Sequence, residues 1–335
     1  RAEDVHLCYI VKMGDINRTW FDQRGFGAEY RVTGGDYILS PGQECPRTHN
    51  ELGHTIHMNI RDMIRDTSQY YLYDTVFDAV HAQGGLSGYC HVNSGIFHVH
   101  RDMSMNLANG KVDFVELLQF ANLGTDLYYD FLNTGFKVTA SAGSDVPWGG
   151  SIGEVRLYAY LGKKNFTADN WFDAVGNGHT FVTNGTMLDL RVEKAVPGDT
   201  ITVNEDKPLR VRATAIGDPH RATPAKLDVI VQGESFKHIE STNTQQKELS
   251  LSFTIPSGNG FWIAARAEGS DGSRAHTTPI YVVREGLRFW KYDAVPELIQ
   301  KRLASLAEIE QIVADAQTRN AAGQADDNRT IKQLA

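Results

Sequence analysis

Histidines and acidic residues in the N-terminal half of the chain have the types and spacing of metal ligands. Eight of the twelve histidines lie in the first hundred residues. The segment ECPRTHNELGHTIHMN (44–59) alone contains Glu44, His49, His54 and His57. Divalent transition metals prefer imidazole nitrogen and carboxylate oxygen as ligands. A metal ion lowers the pKa of a bound water and polarises the bond to be cut, so the predicted chemistry is hydrolysis.

Glu44, His91 and Asp145 each lie at or near the end of an apolar segment that reads as a β-strand. The three segments are GGDYILSPGQE (34–44), LSGYCHVNS (86–94) and FKVTASAGSD (136–145). In a barrel of parallel strands, catalytic groups lie at the carboxyl ends of the strands. We therefore predict that Glu44, His91 and Asp145 are catalytic metal ligands, together with His54, which follows Gly53.

Three of these four residues also have an ordinary structural explanation. Glu44 would equally be a solvated loop acid, and His54 a strand-edge imidazole bonded to the backbone. An aspartate such as Asp145 is common in turns, where its side chain bonds to nearby backbone.

Side chains alternate between the two faces of a strand, which separates two further residues from the predicted ligands. His57 should face away from His54, so we predict a structural role for it. Cys90 should point away from the adjacent His91.

Four more polar residues are candidates for substrate binding. His49 lies in a polar loop at the expected entrance of the site. His98 and His100 would share one face of an extended segment, and Arg101 could hold an anionic group. A solvated loop explains the same residues equally well.

Alternating strand and helix signals position the candidate ligands. The predicted helices are 72–85, 127–135 and 168–178, each ending near glycine. The predicted strands that alternate with them are 34–44, 86–94, 111–120, 136–145 and 179–185. Since parallel strands require crossover connections, the pattern predicts parallel α/β construction over residues 34–185.

The pattern of predicted secondary structure changes beyond residue 187. Short alternating strands separated by Gly, Pro, Asp and Asn predict an antiparallel, immunoglobulin-like β-sandwich over residues 188–285. Residues 286–335 are predicted to form an amphipathic helix (296–317) and a polar tail. We expect this helix to pack on its own chain or to form a homo-oligomer contact.

Composition restricts the possible partners. The 335-residue chain has a net charge of −8 and no basic run, so we predict no nucleic-acid binding. No apolar run is long enough for a transmembrane segment. Three cysteines, Cys8, Cys45 and Cys90, are too few for a disulfide scaffold.

Several motifs occur in an order that resembles a known family, the PHP (polymerase and histidinol phosphatase) metallohydrolases, in their carbaryl-hydrolase-like branch. They are GQE…GH (42–54), GGLSGYCHVNS (84–94), AGSD (142–145), WFDAVGNGHTFVTNGTMLDLRV (171–192), PGD (197–199) and AHTTPIYV (275–282). The resemblance implies a distorted (β/α)7 PHP-type barrel over residues 1–187, followed by the β-sandwich. It also implies two or three Mn, Fe or Zn ions and a secreted or periplasmic location.

Carried over residue by residue, the resemblance makes Glu44 a bridging ligand and His54 the histidine of the GH element. His91 matches the histidine of an AHP motif, and Asp145 the aspartate of an SDxH motif. Two departures stand out. Pro147 replaces the histidine of SDxH, and the HxH strand that opens the family is lacking, so we expect it to lie upstream of Arg1 or to be lost.

We therefore predict a metal-dependent hydrolase that cleaves a phosphoester, ester, carbamate or amide bond in a small-molecule or ester-type substrate. An alternative is a non-catalytic binding or structural protein on a degenerate PHP barrel, which the missing ligands favour. A third interpretation, an amidohydrolase-type barrel, usually requires HxH and often a bridging lysine, and the sequence has no evident lysine at a strand end.

Overall fold

A computed structural model describes residues 4–13, 27–44, 51–64, 72–92, 95–146, 148–218, 221–284 and 288–324. Within these ranges the chain forms three β-sheets and five α-helices. The elements are β1 (Leu7–Met13), β2 (Val32–Gly34), β3 (Tyr37–Glu44), β4 (His54–Met58), α1 (Tyr73–His81), β5 (Leu86–Cys90), α2 (Val99–Asn106), β6 (Phe114–Gln119), β7 (Asn122–Leu123), α3 (Asp126–Asn133), β8 (Thr139–Ala142), β9 (Arg156–Ala159), α4 (Ala168–Gly176), β10 (Thr180–Thr183), β11 (Met187–Val192), β12 (Thr200–Val203), β13 (Pro208–Ile216), β14 (Pro224–Val231), β15 (Glu234–Glu240), β16 (Glu248–Pro256), β17 (Phe261–Gly269), β18 (Arg274–Thr277), β19 (Ile280–Arg284) and α5 (Val295–Ala321).

The chain divides into two compact units. Unit 1 comprises Arg1–Phe114, Phe166–Phe172 and Glu297–Ala335. Unit 2 comprises Val115–Asn165 and Asp173–Pro296. All residues of the candidate metal centre described below belong to unit 1.

Strand directions show that the predicted distorted (β/α)7 barrel is wrong, because such a barrel is a closed ring of parallel strands. β1 and β3 are parallel, but β4 is antiparallel to both β3 and β5. The connection that contains α1 leaves β4 at Met58 and enters β5 at Leu86, and these two residues pair with each other. The chain therefore returns at the same end of the sheet, whereas a crossover to a parallel strand would enter at the opposite end.

Both faces of β4 are buried, and the two faces differ in character. Ile56 and Met58 pack in an apolar cluster with Cys90 and Phe114. On the opposite face, His57 lies beside polar groups that bond its ring. A short strand buried on both sides holds its side chains in fixed positions, which suits it to support a site at its first residue.

Unit 2 contains two sheets with a shared apolar core. β11, β13 and β16 form an antiparallel sheet. The other sheet includes the order β12-β19-β17-β18-β10-β9, with β14 on β17 and β15 on β14. Side chains from both sheets, among them Leu190, Val211, Leu249 and Ile263, belong to one buried cluster. The alternation of apolar and polar residues predicted β-strands in 188–285. β13 shows this alternation, because every second residue of the strand is buried.

The predicted C-terminal helix 296–317 is present as α5. It contributes Leu298, Ser305 and Ala316 to buried positions, while Ile299 and Leu303 are exposed. None of the helices in the described ranges is both long and apolar enough to cross a membrane. The predicted role of α5 in a homo-oligomer contact stays a prediction.

His276 in β18 of unit 2 makes stability depend on pH. Its ring is fully buried, with Nδ1 2.7 Å from the Thr277 carbonyl oxygen and Nε2 2.6 Å from the Tyr129 hydroxyl. Nδ1–H therefore donates to Thr277, and Nε2 accepts from Tyr129. Burial lowers the pKa of His276 to about 4, because a charged imidazolium would lose its hydration.

Acidification is therefore expected to destabilise the fold through His276. The unfolded chain takes up a proton near pH 6.5 and the folded chain only near pH 4, so stability falls between these values, by about 3 kcal/mol. Urea unfolding across this pH range should show a smaller loss in a His276→Gln variant than in the unchanged protein. His238→Gln, at an exposed position of β15, is the matched control. An equal loss in the His276→Gln protein would contradict the assignment.

Candidate metal centre

Three strands of unit 1 bring four potential metal ligands together. Glu44 is the last residue of β3 and His54 the first of β4. Cys90 ends β5, and His91 follows it. In the antiparallel pairing of β4 and β5, His54 lies directly opposite Cys90, so the two side chains project from the same face of the sheet.

The four ligating atoms lie within 4.8 Å of one another. His54 Nδ1 is 3.5 Å from Glu44 Oε1, and His91 Nε2 is 3.9 Å from the same oxygen. The centroids of the two imidazole rings are 5.0 Å apart. The two nitrogen–oxygen distances, 3.5 and 3.9 Å, are close to the ligand–ligand distance of about 3.4 Å in a tetrahedral zinc site, as estimated from zinc–ligand bonds of about 2.1 Å.

The centre is almost inaccessible to solvent. Glu44 and His91 are each 5% exposed, His54 3% and Cys90 1%. Burying a carboxylate costs several kcal/mol unless charge or hydrogen bonds compensate it, and a divalent cation supplies such compensation. Imidazole nitrogen, thiolate sulfur and carboxylate oxygen are all ligand types that zinc binds in proteins. The residues therefore fit a single divalent transition-metal ion.

Cys90 is the member of this centre that sequence reasoning missed. Strand alternation placed it on the face opposite His91, but His91 has a φ of 59°, in the left-handed region. Alternation applies only to extended backbone, and this turn changes the direction of the chain directly after Cys90. The side chains of both neighbouring residues can therefore reach the same ion.

His57 lies on the other face of β4, as predicted. Its Nδ1 is 3.1 Å from the Ser87 hydroxyl, and its Nε2 is 3.2 Å from the Thr55 hydroxyl. Both ring nitrogens thus have protein partners, and the residue joins β4 to β5 away from the metal ligands.

A second polar cluster lies beside β5. Asp102 of α2 is buried and accepts hydrogen bonds from the Tyr89 hydroxyl and the Asn106 amide. Burial raises the pKa of Asp102 to about 7, although these two hydrogen bonds act in the opposite direction. The contacts attach α2 to the strand that carries Cys90.

The other predicted site residues are placed as follows. Asp145 lies in unit 2, half-buried after β8, and does not belong to the four-residue group. His49 lies outside the residues that the structure describes. Roles for these two residues in metal or substrate binding stay predictions.

The segment predicted as an extended HVH strand or loop is largely helical. His98 has left-handed backbone (φ 42°) and α2 begins at Val99, with the His98 and His100 rings 5.8 Å apart. Arg101 Nη1 is 2.8 Å from Glu51 Oε2, and its Nε is 2.7 Å from Glu308 Oε2. Two carboxylates of the chain itself thus neutralise the guanidinium that was predicted to hold a substrate anion.

Comparisons with protein-family models and with curated proteins return no match. Among solved structures, the chain is similar to an engineered protein from a structural genomics consortium, at 13% sequence identity and a TM-score of 0.20. That match covers 29% of this chain and 20% of the engineered protein. A similarity this low carries no information about the fold, so the PHP resemblance stays a prediction from sequence motifs.

Cobalt binding reports directly on Cys90. We expect Co²⁺ to bind with a near-ultraviolet thiolate-to-cobalt charge-transfer band, because Cys90 Sγ lies among the other ligand atoms. A Cys90→Ser variant should lose that band and bind zinc about 10- to 100-fold more weakly. Mutations of residues that support metal ligands lower metal affinity by the same factor. Cys8→Ser, at the half-buried cysteine of β1, is the control and should keep both properties. A charge-transfer band that persists in the Cys90→Ser protein would contradict the site.

Proposed function

We propose that the protein is a metal-dependent hydrolase with its ion held in the centre formed by Glu44, His54, Cys90 and His91. One observation supports this most strongly: four ligating groups from three strands converge within 4.8 Å in a buried position. The described residues offer one such group, so the proposal is for one ion rather than the two or three that the family resemblance implies. Zinc suits the thiolate and imidazole ligands better than manganese does.

The four residues divide into two chemical roles in this proposal. Catalytic zinc sites use three protein ligands and leave a position for water. His54, Cys90 and His91 would be the ligands, and Glu44, as the only carboxylate of the group, would accept the proton of the attacking water. A divalent ion bound there would acidify that water and stabilise negative charge on the substrate. Its substrates would be small phosphoesters, esters, carbamates or amides.

A structural metal site is the second candidate, and the burial of the centre favours it. All four residues are at most 5% exposed, and together they would supply four ligands to an ion without a water. Closed shells of four protein ligands are typical of zinc sites that stabilise a fold. In this case Glu44 is a ligand and the ion contributes to folding free energy.

A Glu44→Gln variant distinguishes the two roles. In a hydrolase it should retain metal and fold but lose about 10²- to 10⁴-fold in kcat on an active aryl ester, phosphate or carbamate, because the proton acceptor is gone. In a structural site it should lose metal affinity and unfold at lower temperature. The measurements are metal content, hydrolysis of the substrate panel and thermal unfolding of the full chain. Glu29→Gln, at an exposed glutamate of unit 1, is the control.

The hydrolase proposal fails if the zinc-loaded protein hydrolyses none of the substrates while chelation lowers its unfolding temperature. Metal binding itself fails as an explanation if the purified chain holds no transition metal and takes up none on addition of zinc or manganese.

A further inference from the structure

The ring of Phe97 covers the two histidines of the proposed centre. Its centroid is 4.5 Å from the His54 ring and 4.5 Å from the His91 ring. One half-buried aromatic side chain thus contacts two of the four ligands from the segment between β5 and α2. The apolar shell of a metal site controls the access of water and the local dielectric, and aromatic contacts fix ring orientation.

The backbone that follows Phe97 packs closely against the start of β4. Gly53, which precedes His54, has a φ of 85°, and a Cβ added there would lie 2.9 Å from Val99 Cγ2. Residue 98 has left-handed backbone between Phe97 and the first turn of α2. The chain entering the metal centre at His54 and the chain leaving Phe97 are therefore packed directly on each other.

Salt bridges connect the first turn of α2 to two other parts of unit 1. Arg101 binds Glu51, just before β4, and Glu308 in the middle of α5. His100 Nε2 lies 3.2 Å from the same Glu308 oxygen. Arg101 is 13% exposed and Glu308 43% at the side chain, so this bridge is partly shielded from water. Glu308 thus fixes the helix that follows Phe97 without contacting any ligand.

We propose that Phe97 is a positioning residue that slows exchange of the bound ion, and that Glu308 of the C-terminal helix holds it in place through Arg101. This inference rests on the proposed metal centre. Release of the ion requires water to reach the imidazoles and the rings to turn, and Phe97 opposes both. α5 thereby affects metal retention through two links: Glu308 holds Arg101 in the first turn of α2, and Phe97, which precedes that turn, covers the imidazoles.

The test is the rate at which zinc leaves the full-length, zinc-loaded protein for an excess of the chromogenic chelator 4-(2-pyridylazo)resorcinol. Phe97→Ala should release zinc about 10- to 100-fold faster, and Phe97→Leu, which keeps an apolar cover, should lie between. Glu308→Gln should release it about three- to fivefold faster, as expected for one partly exposed ion pair. Glu310→Gln, exposed on the same helix, is the matched control and should match the unchanged protein.

The outcomes distinguish a failure of this inference from a failure of the metal centre itself. If the unchanged protein holds one zinc, and folded Phe97→Ala and Glu308→Gln proteins release it at the unchanged rate, the inference is overturned and the centre stands. If the Phe97→Ala chain fails to fold, the Glu308→Gln and Phe97→Leu rates decide. If the unchanged protein binds no zinc or other transition metal, the centre and the inference fail together.

Discussion

The close approach of one carboxylate, two imidazoles and a thiol in a buried position is the constraint on which the rest of unit 1 depends. Removing these groups from water is unfavourable unless their charge and lone pairs are compensated. They lie within 4.8 Å of one another and are at most 5% exposed. A divalent cation bound there would provide that compensation.

The surrounding elements fix the four groups from several directions. The register of β4 against β5 places His54 opposite Cys90, and the left-handed turn at His91 brings the next side chain into reach. Behind the sheet, His57 bonds to Ser87 and Thr55. In front, Phe97 packs on both imidazoles. A site supported on both sides of the sheet is preorganised, which favours tight binding of a small ion and slow exchange.

Local elements could be predicted from the sequence, whereas the pairing between them could not. The helical spacing of Val76, Phe77 and Val80 indicated α1, and the observed helix is Tyr73–His81. The direction of β4 depends on where a long connection re-enters the sheet, which no local pattern encodes, so the parallel barrel was wrong. Strand-end reasoning selected Glu44 and His91, which the structure brings together with His54, and also Asp145, which lies in unit 2 outside the four-residue group. It missed Cys90, because a single residue with positive φ breaks the alternation that the prediction assumed.

The central claim is that the centre formed by Glu44, His54, Cys90 and His91 holds one metal ion. Its most direct measurement is an anomalous difference map from crystals of the zinc-loaded protein, collected on either side of the zinc absorption edge. We expect one peak per chain, about 2.3 Å from Cys90 Sγ and about 2.0–2.2 Å from the two imidazole nitrogens, with a Glu44 oxygen at bonding distance or one water away. A map with no peak at this position, or a peak that Cys90 and both histidines do not contact, would contradict the account.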